Sequence, residues 1–230
     1  MGMSIILPTL FGNPNLPAQP VPSDLVYDGA LGVYEMWSQF DQSSNGHDLA
    51  GSMTFDINGL QAAGGGGPDT GISGAPASGS LTIVACFNAT NSANANVVSS
   101  QLASSGLRIF AGNNTLGVQH VNAAAGAPIL NLSGSGTGWR LAIVRINDGQ
   151  VSIRDGRGNS QSLTLTSNPA YGTANMCIAG APAGATAITG ITGSIGFVGI
   201  YDGDLWANYA DIFAKVRVVM SDRGVTVPSS

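Results

Sequence analysis

Charge is scarce in this sequence. Asp, Glu, Lys and Arg together make up 9% of its 230 residues, against roughly 25% in an ordinary soluble domain. There is one lysine, Lys215, and one glutamate, Glu35. The net charge is −5 and the seven arginines form no stripe, so the neutralisation that a nucleic acid demands is missing. A cationic helix lying on a membrane surface is excluded as well. A single glutamate rules out the Glu–Glu pair that many glycosidases place about 5–10 Å apart, while an Asp pair stays open.

Cysteine and histidine are nearly as rare. Cys86 and Cys177 form no C-x-x-C, and metal fingers need closer pairs. They are expected to be two buried thiols, since free cysteine behaves as a small hydrophobe; a disulfide stays open should they face each other. His47 and His120 are the only histidines, and both read as solvent-facing or turn residues. No G-x-S-x-G elbow links either to a nucleophile, and neither G-x-G-x-x-G nor a phosphate-binding G-K-[ST] occurs. No stretch reaches the ~20 apolar residues of a membrane span. The start, MGMSIILPTLFGNPNLP, lacks a basic region, and Pro8 breaks its apolar run. The chain is therefore expected to be made in a host cytoplasm without a signal peptide, and the N-x-S/T matches at Asn88, Asn113 and Asn131 to arise by chance.

What the sequence has is glycine, 33 of 230, together with alanine, serine and asparagine. That composition predicts many turns and few helices. Residues 1–24 hold five of the 11 prolines. Proline fixes φ and removes a donor, so an extended arm is expected there, with Ile5, Ile6, Leu7 and Phe11 as its apolar contacts to a neighbour. From Leu25 to Gly203 short strands alternate with turn signals. Residues 81–87, LTIVACF, form an apolar run; 107–110 and 116–121 read as a hairpin around Gly112-Asn113-Asn114. In 139–155, two β-rich runs flank Asn147-Asp148-Gly149, and Asp-Gly is a strong hairpin signal. Residues 162–166 and 194–201 add two more strands, a spacing that predicts a sandwich or barrel. Residues 59–80, GLQAAGGGGPDTGISGAPASGS, read as a long flexible loop with one short strand at most. The last element, 204–224, reads as an amphipathic helix packed on the sandwich or a neighbour. Asp204 is its expected N-cap, Gly224 its stop, and Lys215, Arg217 and Arg223 suit the C-terminal end of its dipole. Tyr209 and Phe213 belong to its apolar stripe and are expected to serve assembly.

The oxygen-rich stretch 39–49, QFDQSSNGHDL, is the first candidate for chemistry. Asp41-x-Ser43-x-Asn45-Gly46 copies the start of a helix-loop-helix calcium loop. Position twelve of such a loop should be a bidentate Glu and is here Ser52, so the segment reads best as a turn in which Asp and Asn accept local backbone hydrogen bonds. Calcium is the one cofactor these oxygens could take, with Asp41 and Asp48 as ligands. For a sugar, aromatic faces are the usual handles; Trp37, just before this loop, and His47 within it are the ligand candidates, while Trp139 and Trp206 read as packing residues. Three loops, 41–48, 64–74 and 181–190, are candidates for a glycan rim.

The order of these pieces resembles the laminin-G/concanavalin A-like lectin sandwich, in its bacterial and phage branch. Asp41-Gln42-Ser43-Ser44-Asn45-Gly46-His47-Asp48-Leu49 is similar to that family's D-x-S-G-N-G-x-x-L turn. Ser80 to Phe87 resembles its S-[FL]-T-I-x-[AV]-W-F strand, with Cys86 where tryptophan is common. Gly138 to Val144, Ile153-Arg154-Asp155-Gly156, Ile178-Ala179-Gly180 and Gly193 to Tyr201 follow in family order. The resemblance covers about residues 28–224. It implies an all-β, concanavalin A-like jelly-roll sandwich, with the N-terminal arm and the one C-terminal helix attached. The family's glucanases carry a tight glutamate pair that this chain lacks.

Two functions fit these expectations. The first is a non-enzymatic structural component of a virus particle, a capsid decoration, fibre or tail protein. It would assemble through the arm with other virion proteins and as a homo-oligomer, expected to be a trimer. The second is a glycan-binding module recognising a surface carbohydrate.

Overall fold

The computed structural model describes residues 23–120, 128–147, 149–166, 169–185 and 189–229. Two antiparallel sheets pack face to face, and one helix follows them. The larger sheet contains β1 (Ala30–Tyr34), β2 (Phe55–Asp56), β3 (Gly59–Ala63), β5 (Leu81–Ala89), β10 (Trp139–Asn147), β11 (Gln150–Asp155), β12 (Ser160–Thr164) and β14 (Thr192–Asp202). Its order is β12-β11-β10-β5-β14-β3-β2, with β1 also on β14. The smaller sheet contains β4 (Asp69–Ser73), β6 (Ala95–Ser99), β7 (Leu107–Gly112), β8 (Thr115–His120), β9 (Ile129–Ser133) and β13 (Asn175–Ile178), in the order β4-β13-β6-β7-β8-β9. The expected all-β sandwich with a C-terminal helix is what the chain adopts. The arm residues Ile5, Ile6, Leu7 and Phe11 lie outside the described residues.

Burial explains the unbroken apolar run of β5. Ile83, Ala85 and Phe87 face the core between the sheets, while Val84 and Cys86 face a second core on the outside. A strand covered on both faces loses the polar alternation of a half-exposed one. The second core is sealed by α1 (Tyr209–Ser221), which buries Ile212, Phe213, Val216 and Met220 over Leu141, Ile143 and Phe197. Burial of each such side chain contributes roughly 1.5–3 kcal/mol. Phe213, expected to serve assembly, is therefore covered by its own chain; Tyr209 is only half-buried. Both cysteines are free and buried. Burial pushes the Cys177 thiol up to about 11 and holds the Cys86 thiol far above the usual thiol range.

Three contacts lock these layers. Gly196 lies unpaired between the pairs Ile195–Phe87 and Phe197–Cys86, and a Cβ there would fall 2.4 Å from the Met220 sulfur. Glycine thus lets the helix descend onto the sheet. The buried Arg223 donates from Nη1 to the Gly196 carbonyl at 3.0 Å. Across the sandwich, Arg140 of β10 donates from Nη1 to the carbonyls of Gly112 and Thr115, both at 2.9 Å, and so joins the larger sheet to the β7–β8 turn.

Several local expectations change. Residues 59–80 contain two strands, β3 and β4, because glycine permits backbone approaches that any Cβ would block: a Cβ on Gly59 would sit 2.1 Å from the Ile195 carbonyl. The strand read at 162–166 runs from Ser160 to Thr164 and is exposed throughout, since it forms the sheet edge and register follows β11 rather than a buried face. Asp204 is not a helix N-cap: Leu205 is the N-cap of a 3-10 turn, Trp206–Asn208, and Asn208 that of α1, which begins only at Tyr209, while Asp204 accepts the Trp206 amide at 2.9 Å. No basic residue occupies the last turn of α1. Lys215 pairs with Asp211, and Arg217 reaches the carbonyls of Gly156 and Pro228. Gly224 does stop the helix. At φ +75 it donates to the Ser221 carbonyl while Val225 donates to that of Met220, a Schellman closure.

Candidate functional site

The loop at 41–48 is a saturated turn. Asp41 is buried. Its Oδ1 accepts the amides of Val33 (2.9 Å) and Ser43 (2.8 Å), and its Oδ2 accepts the Ser43 hydroxyl (2.7 Å) and the His47 amide (3.3 Å). Asp48 accepts the Asp41 amide at 2.9 Å. Ser44 and Gly46 take the left-handed conformations that the turn requires. Both Asp41 oxygens and Asp48 Oδ1 already serve the turn, and no group of three or more His, Cys, Asp or Glu side chains that could hold a metal ion exists among the described residues.

The other sequence candidates separate. Trp37 is 51% exposed, and the Arg223 guanidinium lies 4.0 Å from its ring centroid, beside the end of α1. His47 instead sits beside Gly71 of β4. The loops at 64–74 and 181–190 do meet: Ala181 donates to Gly66 at 3.0 Å and Gly190 to Gly65 at 3.2 Å, with residues 186–188 outside the described set. Next to them opens a cleft of about 330 Å³ lined by residues such as Ser52, Met53, Thr54 and Gln61, without one ionisable side chain. His120, expected at the surface, is fully buried, edge-on to Tyr171.

The arrangement with most chemistry lies on the outer face of the smaller sheet. The corresponding face of the larger sheet is covered by α1; on this one Phe110, Asn96 and Ser99 are buried, while Arg108 and Gln119 remain partly exposed. In the β7–β8 hairpin, Leu107, Ile109 and Ala111 point into the core, and alternation turns Arg108 and Phe110 outward. One row across the six strands reads Asp69, Cys177, Ser99, Arg108, Gln119, Ile129; the next reads Asn96, Phe110, Gly117, Asn131. The Arg108 guanidinium lies 4.8 Å from the Phe110 ring centroid and donates from Nε to Gln119 Oε1 at 2.9 Å. Gly117 makes room for that ring, as a Cβ there would strike Phe110 at 2.3 Å. Partial burial lowers the Arg108 pKa, and neither ion pair among the described residues includes it. The partly exposed guanidinium is thus held in place by its Nε, and its planar fork is suited to paired oxygens. Beside it, the fully buried Asn96 amide has no hydrogen-bond partner. The sequence reading missed Arg108, Gln119 and Asn96; for Arg108 and Gln119 the signal was the hairpin's own alternation, while Asn96 lies on β6.

No family model and no curated protein matches the chain. Solved structures do. The chain is similar to botulinum neurotoxin type C, which depends on interaction with two ganglioside molecules to get into cells, at 14% identity and a TM-score of 0.60, over 83% of this chain and 52% of that one. It is similar to the binding domain of botulinum neurotoxin DC in complex with rat synaptotagmin II, at 12% identity and a TM-score of 0.58, over 84% of this chain and 52% of that one. It is also similar to the CBM40 module of the Ruminococcus gnavus IT-sialidase bound to α2,6-sialyllactose, at 13% identity and a TM-score of 0.53, over 68% of this chain and 96% of that one. The chain therefore spans about half of each toxin chain and nearly all of the CBM40 module. At these identities the likeness is one of fold, the β-sandwich.

Proposed function

We propose that this chain is a non-enzymatic carbohydrate-binding module that takes its glycan on the outer face of the smaller sheet, around Arg108. The observation that carries the reading is the partly exposed Arg108 fork, fixed by Gln119 and Phe110 on the outer face of the smaller sheet. Paired N–H donors match adjacent sugar hydroxyls or a sugar carboxylate, and Gln119 in the same row and Asn131 in the next add side-chain amides. Structural likeness to proteins solved with sialyllactose or described with gangliosides supports a glycan as the ligand class. A place in a virus particle draws no support from these likenesses, and its arm residues Ile5, Ile6, Leu7 and Phe11 fall outside the described residues.

A glycan array probed with the full chain, followed by calorimetry on the best binder, tests this. Hydrogen bonds from a charged donor contribute roughly 1.5–3 kcal/mol, so Arg108→Ala should weaken binding at least about tenfold. Arg108→Lys should recover only part, and Trp37→Ala should change little. An empty array, or a glycan whose affinity ignores both Arg108→Ala and Gln119→Ala in folded protein, would overturn the reading.

A further inference from the structure

A second charged recess lies on the opposite side of the molecule. It is a cleft of about 290 Å³ between α1 and the β11–β12 turn, lined by Arg154, Arg217, Tyr209, Phe213, Gly156 and Asp155 among others. The Arg154 guanidinium lies 3.9 Å from the Tyr209 ring centroid and 5.4 Å from that of Trp206. Its Nε is buried without a partner, and neither ion pair among the described residues includes it. Arg217 enters from the helix. Its Nη2 donates to the carbonyls of Gly156 (2.8 Å) and Pro228 (3.3 Å), and its Nε is also buried without a partner.

The carboxylate that lines this cleft is committed to its own turn. Asp155 accepts the amides of Arg157 and Asn159 at 3.0 and 2.9 Å and the Asn159 side chain at 2.8 Å, all within its own turn. Gly156 leaves the floor bare, as a Cβ there would lie 3.2 Å from Arg217 Nη2. Two guanidinium groups thus share one recess, in a chain of net charge −5, and Asp155, the one carboxylate among the described residues lining it, forms an ion pair with neither. Like charges disfavour each other, and an opposite charge placed between them relieves this. The aromatic faces hold Arg154 in position beforehand, so little side-chain freedom is lost when a ligand arrives.

We propose that this cleft binds an oxyanion: a carboxylate, sulfate or phosphate group gripped between Arg154 and Arg217, with Tyr209 flanking it. Such a group is carried by acidic sugars and is also free in solution as an inorganic ion. The site is independent of the reading of Arg108, which lies on the other sheet.

The test is a titration of the full chain, followed by NMR at the Trp206 indole and the arginine Nε–H groups and by calorimetry. Sodium sulfate, sodium phosphate and sodium glucuronate are the probes, with chloride holding ionic strength constant and glucose as the uncharged control. Saturable shifts with at least one anion and none with glucose are expected. Arg154→Gln should weaken the response at least about tenfold, Arg154→Lys by less, and Arg108→Ala not at all. Arg154 makes no protein hydrogen bond that its replacement would break, so its variants remain folded probes. Response to inorganic ions alone identifies a free oxyanion as the ligand; response to glucuronate as well identifies an acidic sugar. No saturable response to any anion, or one unchanged in Arg154→Gln, would overturn the proposal.

Discussion

His120 shows what one side chain's surroundings do to its chemistry. It ends β8 opposite Leu107 and shares the inward face of that residue. Neither ring nitrogen has a hydrogen-bond partner, so the charged form is penalised and burial pushes the pKa down to about 4. An unfolded histidine titrates near 6.5. Between these values the unfolded chain takes up a proton that the folded chain refuses, so stability is lost as the pH falls from about 6.5 towards 4 and is fully present above that window. The loss is on the order of 3 kcal/mol at most. Urea midpoints measured across this range should fall more steeply in the natural chain than in His120→Leu. Parallel profiles would show that the imidazole is not the group responsible. The same residue also marks where reading from sequence failed. The 107–110/116–121 hairpin was legible from its turn residues, and period-two alternation from Leu116 and Val118 already pointed His120 inward and Arg108 outward. Position in the alternating strand, and not residue type, decides that His120 is buried and that Arg108 stands at the centre of the candidate site.

The packing of α1 on the larger sheet depends on a single missing side chain. The backbone of Gly196 is not left-handed, so alanine there meets no conformational penalty, only collision with Met220 and, at 3.1 Å, with Trp139. Overpacking of this kind costs about 1–3 kcal/mol. Met220→Ala alone should cost about 2–5 kcal/mol as a cavity. The two changes remove each other's defect, so Gly196→Ala with Met220→Ala should cost clearly less than the sum in denaturant titration; simple additivity would mean that the helix does not rest on Gly196. Elements held by side-chain pattern or by turn chemistry, such as β5, the β10–β11 hairpin and α1, could be read from sequence. β3 and β4 could not, because their glycines act through close backbone approach, which depends on where β14 and β13 pass. The loop at 41–48 was legible as a turn because its hydrogen bonds are local. The Arg154–Arg217 recess was not, since 62 positions of sequence separate β11 from the helix residue that completes it.

β5, β10 and β14 contribute one face to each of the two cores. A helix that peeled away would expose Val84, Cys86, Leu141, Ile143 and Phe197 on strands whose other faces still hold the sandwich together. Exposure of that apolar surface is unfavourable at roughly 25 cal/mol per Å², so the helix and the two sheets should unfold as one unit despite the two cores. Tyr201 strengthens the coupling, since its hydroxyl donates to the Leu25 carbonyl at 2.8 Å and ties the start of the sandwich beneath the helix. Cys86 supplies a reporter, because it lies fully buried in the helix-side core with its thiol held neutral. In a urea series, labelling of Cys86 by a thiol reagent should follow the loss of β-sheet circular dichroism with a single shared midpoint, as coincident probes require. Cys177, on the smaller sheet and 5% exposed, should share that midpoint. Were Cys86 labelled at a urea concentration where the sheet signal is intact, the helix would be a separable cover and the two cores independent.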